Sequence, residues 1–246
     1  TYNQPVELTY SFAVESMPST SFAGIQPFGT LEQERTREIM ASIEEVANIR
    51  LTEVTDQGAG TYTADGLNRG HINLAYDRGG FADDPTGMTE GWAMVPAGDD
   101  PRAVEDSGDI HLDPGAMRDF YFEDPLGGGA TVLAHEIGHA LGLDHAFEGR
   151  QMDPWMADDL YTIMGGELSW STGEGGQSPA QPMIYDIAAL QHLYGANMTT
   201  RADNTVYTFD SDTPVFETIW DAGGIDEIRH TGFGNASIDL NAGNLS

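Results

Sequence analysis

Residues 135 to 145 read H-E-I-G-H-A-L-G-L-D-H, which puts three of the seven histidines of a 246-residue chain within eleven positions. Val132, Leu133, Ile137, Ala140 and Leu141 around them are helix-compatible, so His135 and His139, four apart, share one helical face. Gly142 can take the left-handed conformation that ends a helix, and the chain can then swing back to bring His145 to the same point. Three imidazole nitrogens at about 2.0 to 2.1 Å leave one tetrahedral position of Zn²⁺ open, the arrangement of a catalytic and not a structural site. Glu136, beside the first histidine, is positioned as a general base and not as a ligand. It would take the proton of a water whose pKa the ion lowers to about 7.

The rest of the composition narrows the chemistry. Forty Asp and Glu face ten basic residues, all of them Arg, for a formal charge of -30. Without lysine there is no phosphate loop of the G-K-[ST] kind, no Schiff base and no Ser-x-x-Lys nucleophile. So negative a surface repels nucleic acid and anionic membranes, both bound largely through cationic side chains. It reads either as a solvated surface suited to a salty medium or, in part, as a source of oxygen ligands for Ca²⁺. The absence of cysteine removes disulfides, thiolate nucleophiles and Cys-based zinc sites. No run of about 18 apolar residues is present, and the chain opens at Thr1 with no initiator Met or leader. Neither a spanning helix nor a signal peptide is expected within it.

Val6, Leu8, Tyr10 and Phe12 alternate with more polar neighbours and predict a half-buried first strand. Thr30 and Gln33 form a capping-box signature ahead of a helix with Leu31, Ile39, Ile43, Val46 and Ala47 on its apolar side, ending near Asn48. Further strands are expected at Ile49 to Val54, through Ile72, Leu74 and Tyr76, and at Asp109 to Leu112. Glu148 to Asp159 and Ser169 to Gln181 read as loops. Pro182 opens a buried helix over Met183 to Tyr194 that Gly195 closes. The last fifty residues read as short strands and turns.

H-E-x-x-H-x-x-G-x-x-H is the signature of the metzincin metalloproteases, and Y-T-I-M-G-G at 161 to 166 resembles their Met-turn, with Met164 as the methionine beneath the metal. P-M-I-Y-D-I-A-A-L-Q-H-L-Y-G-A-N-M-T-T-R at 182 to 201 and W-D-A-G-G-I-D at 220 to 226 resemble the serralysin branch. So do P-V-E-L-T-Y-S-F at 5 to 12 and E-V-A-N-I-R-L-T-E-V at 45 to 54. The resemblance implies an α+β zincin-like fold, a twisted mixed sheet with packed helices. It further implies an N-terminal subdomain (1–142) carrying the zinc-binding helix, a smaller C-terminal one (143–200) with the Met-turn, and a short β-rich tail (201–246). It implies a secreted, extracellular zinc endopeptidase, expected to be monomeric, acting on protein or peptide substrates, with no nucleic-acid or membrane partner.

Three departures from that family stand out. Where serralysins usually carry a tyrosine two residues after the Met-turn methionine, this chain has Gly166; either the chain does without that donor or Tyr161 substitutes, and the first is expected. Ala146 replaces the proline after the third histidine. The chain stops at Ser246 with only G-G-I-D at 223 to 226 and no complete calcium-binding nonapeptide, which reads as a minimal or a truncated form. The resemblance nonetheless places a shared Ca²⁺ at Arg201, Asp203, Thr205, Asp221, Gly223 and Asp226, whose alternative is a pair of acidic surface turns. His71, His111, His192 and His230 are expected to be surface or packing residues. Two other functions fit less of the sequence: a zinc-bound but weakly active scaffold whose acidic surface binds partners, and a calcium-dependent module.

Overall fold

The computed structural model describes residues 4–14, 24–57, 70–77, 90–93, 108–115, 117, 122–147, 152–153, 155–165, 178–210 and 215–239. Strand β1 (Val6–Phe12) lies in a mixed sheet between β3 (Ile49–Glu53) and β4 (Ile72–Asp77), parallel to both. Beyond β4 come β6 (Ile110–Leu112), parallel, and β5 (Gly91–Ala93), antiparallel at the edge; β2 (Ile25–Gln26) pairs with the end of β4. The alternation expected of β1 is not seen: Val6 and Glu7 are both exposed, Leu8 and Thr9 both half-buried, and Tyr10 to Phe12 all buried. Ser11 is as buried as Tyr10 and Phe12, and its hydroxyl is satisfied there, accepting the Gly70 N–H at 2.8 Å and the Asn73 side-chain amide at 3.3 Å.

Helix α1 (Thr30–Val46) runs between β2 and β3 and buries Ile39, Met40, Ile43 and Val46. The capping box expected at its start is not formed. Thr30 is already helical, the cap is Gly29 without a side-chain bond, and Gln33 gives its amide to the Phe28 carbonyl at 3.0 Å. The acidic first-turn residue, Glu32, is drawn inward and accepts the Tyr76 hydroxyl at 2.8 Å. The helix also stops at Val46, short of Asn48: Ala47 is extended, and the Asn48 N–H goes to Gly195 O at 2.7 Å, tying the helix end to the last helix.

Two further helices complete the main body. α2 (Gly128–Ala140) packs against α1, β5 and β6, and α3 (Ile184–Tyr194) packs against α1. Ile43, Leu74, Ile110, Leu112, Leu133, Ile137 and Leu190 meet in one core, each such side chain contributing about 1.5 to 3 kcal/mol by leaving water. Pro182 lies outside α3 and not in its first turn. The cap is Met183, whose N–H is received at 2.8 Å by Asp186, so the helix begins one residue later. Gly195, at φ 86°, ends it. Strands β7 (Val206–Asp210) and β8 (Glu227–Thr231) pair in parallel as a separate ribbon. Among the described residues no helix is long and apolar enough to cross a membrane.

Candidate metal centre

Helix α2 ends in a way that dictates where the third histidine can go. The Leu143 N–H bonds back to Gly138 O at 2.9 Å and the Gly142 N–H to His139 O at 2.9 Å. These are the two bonds of a Schellman motif, with Gly142 at φ 93° in the left-handed position that only glycine takes without strain. The chain reverses there, and His145 Nε2 arrives 3.2 Å from His135 Nε2 and 3.0 Å from His139 Nε2. Two bonds of about 2.05 Å at a tetrahedral angle span about 3.3 Å, so the three nitrogens are spaced as ligands of one Zn²⁺. Among the described residues these three form the one group of three or more His, Asp or Glu able to share an ion.

The tautomers point the same way. His135 Nδ1 lies 2.7 Å from Ile163 O and His139 Nδ1 lies 2.8 Å from Leu143 O. A carbonyl only accepts, so each Nδ1 carries the hydrogen and each Nε2 presents a lone pair to the centre. Burial, reinforced by His139 and His145 and opposed by the Ile163 carbonyl, pushes His135 down to about 4. It is therefore neutral, with an electron pair to give, near pH 7. The lone pairs of His135 and His139 face His145 Nε2, and three imidazole nitrogens are a donor set that Zn²⁺ takes readily.

Glu136, next to His135 on α2, is not one of the three groups that meet there. It is buried at 5% exposure, and its Oε2 has no hydrogen-bond partner among the described residues. A buried carboxylate oxygen left this way is costly unless something polar completes it. Burial pushes its carboxyl up to about 8; a cation held by the histidines would act in the opposite sense. Edge strand β5 passes close by. A Cβ on Gly91 would stand 2.9 Å from Leu112 Cδ2 and 3.0 Å from both Glu136 Cγ and Oε1, so a side chain at 91 crowds the carboxylate.

Met164 lies directly under α2, 2% exposed. A Cβ at Gly138 would come within 2.6 Å of its sulfur, which makes the glycine inside H-E-I-G-H a packing requirement that spacing alone does not reveal. The turn carrying Met164 is held by Asp186. Its carboxylate accepts Thr162 Oγ1 at 2.6 Å and the Ile163 N–H at 2.8 Å, besides the Met183 N–H. Because Ile163 O in turn holds His135, a line of contacts runs from the start of α3 through the turn to the first histidine. Asp186 was not singled out in the sequence; the signal available was an acid in the first turn of a helix otherwise apolar.

The remaining candidates are more dispersed. Gly166 lies outside the described residues. The Tyr161 ring packs between Trp155 and Tyr185, with centroids 5.7 and 5.9 Å away. Residues 201–205 and 221–226 face each other: Asp226 Oδ1 accepts the Thr205 N–H at 2.9 Å, Asp221 Oδ1 accepts the Gly223 N–H at 2.9 Å, and its other oxygen takes the Tyr207 hydroxyl. Arg201 binds Trp220 O and Glu45. The side chains of Asp203, Asp221 and Asp226 do not meet at one point as the histidines do. His71 bonds to Thr9 on β1, and His111 is buried, stacked on Trp92 at 4.1 Å with Asp77 3.5 Å away. His192 and His230 lie on α3 and β8.

Over 274 aligned positions the chain is 30% identical to the serralysin of Proteus mirabilis, covering 99% of this chain and 53% of that protein. The chain is a serralysin-like metzincin. The serralysin of Photorhabdus sp. (strain Az29) is 31% identical over 99% of this chain and 52% of its own length, and the metalloprotease AprA of Pseudomonas entomophila (strain L48) is 29% identical over 98% and 52%. The serralysin-like chain thus spans about half the length of the curated relatives it matches. No family model matches it. The mixed sheet and the three helices of the described residues fit an α+β, metzincin-like fold.

Proposed function

We propose that this chain is the catalytic part of a secreted zinc endopeptidase that hydrolyses peptide bonds in proteins, with His135, His139 and His145 as ligands, Glu136 as general base and Met164 packed beneath. The observation that carries this reading is the convergence of three histidine Nε2 atoms at the helix that also holds a buried carboxylate, Glu136, whose Oε2 lacks a partner among the described residues. When bound, zinc supplies a Lewis acid that lowers the pKa of a coordinated water and polarises a carbonyl oxygen. Glu136 takes the proton of the attacking water on its unpartnered oxygen and then donates it to the leaving amine nitrogen. Among the described residues β5 is the outer strand at one end of the sheet, the end near Glu136. An extended peptide laid along it as a further strand would carry its scissile bond past Glu136.

In this reading residues 1–142 and 143–200 form the two sides of the cleft, and 201–246 form a tail that holds Ca²⁺ through Arg201, Asp203, Thr205, Asp221, Gly223 and Asp226, partly by backbone carbonyls. The facing loops at 201–205 and 221–226 support it. Adding Ca²⁺ to stripped protein raises the melting temperature; an unchanged temperature removes the calcium. The resemblance to serralysins supports an extracellular monomer, and the charge of -30 speaks against nucleic acid and anionic membranes as partners. The expected result is that the chain hydrolyses casein, stops when a zinc chelator is added and resumes when zinc is restored. Zinc uptake without hydrolysis would instead favour a weakly active scaffold, the reading that Gly166 leaves open.

A further inference from the structure

The three histidines are braced by different means. His135 and His139 stand on a regular helix with their rings oriented by backbone carbonyls. His145 stands on the irregular segment after the Schellman turn, and the ring of Phe147, two residues on, lies against its imidazole with centroids 4.7 Å apart and planes at 16°. Phe147 is itself firmly placed. Both polar groups of Ala146, the residue between them, are engaged, its N–H with Met164 O and its carbonyl with the Met152 N–H, each at 2.9 Å. Yet Phe147 is 38% exposed, a large apolar ring kept at the surface beside a candidate ligand when burial is the usual fate of phenylalanine.

The geometry points to Phe147 as a positioning residue for the third metal ligand: its ring fixes the plane of the His145 imidazole, so that Nε2 faces the other two nitrogens before the ion arrives. The inference rests on the zinc reading above. A pinned backbone leaves His145 its two side-chain torsions, and a parallel ring at van der Waals distance restricts both. Aromatic pairs of this kind add a modest preference beyond the area they bury. Ordering a ligand in advance transfers that preference to metal affinity, since less rotational freedom is lost on binding.

The test compares wild type, Phe147→Ala and Phe147→Trp in the full chain, with zinc affinity measured by chelator competition and Co²⁺ absorption as a probe of ligand geometry. Phe147 is exposed enough for the alanine variant to fold, and far-UV circular dichroism checks that it has. Zinc affinity of Phe147→Ala falls about threefold to tenfold, zinc is lost faster to chelator, its Co²⁺ band changes shape, and Phe147→Trp restores both. Equal affinity and an unchanged Co²⁺ band in Phe147→Ala overturn the inference, even if KM for peptides rises, because the ring then serves substrate and not the ligand. A wild type that takes up no zinc overturns the metal reading, and this inference with it.

Discussion

Glu136→Gln lowers kcat by on the order of 10² to 10⁴-fold, the usual contribution of a positioned general acid and base, and leaves zinc bound. The glutamine has the same shape and fills the same space between α2 and Gly91, so the core around Ile137 and Leu133 has no reason to shift. What it loses is the ability to take a proton and return it. KM should change little, because the side chain contributes to the transition state more than to binding of the ground state. Initial rates on casein and a fluorogenic peptide, with zinc content determined on the same samples, separate the outcomes. An undiminished rate makes Glu136 a bystander. A lost rate with lost zinc makes it part of the metal's support and not the base.

Asp186→Asn acts on stability and on the metal together. The carboxylate receives Thr162 Oγ1 and the Ile163 and Met183 N–H groups, all donors, and an amide NH₂ must face at least one of them. Removing a buried partner in this way costs about 1 to 3 kcal/mol. The Ile163 carbonyl is released as well, and weakening such outer support of a ligating histidine typically costs 10 to 100-fold in metal affinity. Burial outweighs these hydrogen bonds and pushes the Asp186 carboxyl up to about 6. Its value in the unfolded chain is near 4, so between about pH 4 and 6 the folded state holds the extra proton. The group's contribution to stability is then full below about pH 4 and declines as pH rises through 6. Wild-type melting temperatures should fall across that window more than those of Asp186→Asn; parallel curves would place the titration elsewhere.

These residues show what a linear reading can and cannot reach. The metal site was legible because its geometry is local: a four-residue spacing puts two histidines on one face, and a glycine that accepts φ 93° turns the chain for the third. Strands and helices were legible from their periods, although central strands such as β4 bury every residue and blur the pattern. Gly91, Gly138 and Asp186 were not, since each matters through a neighbour distant in sequence, as with Asp186 and Thr162, 24 residues apart. Thr30 misled for the opposite reason. Its capping signature is purely local, and the burial of Glu32 against Tyr76 prevailed over it. Phe147 gave no sign at all, because an aromatic in a loop declares no partner until the loop is folded.

The claim beneath all of this is that His135, His139 and His145 grip one ion. Elemental analysis of the purified chain tests it most directly. One zinc per chain is the predicted result, lost on replacing His139 by alanine; a chain that is metal-free, and remains so after zinc is supplied, would contradict the account.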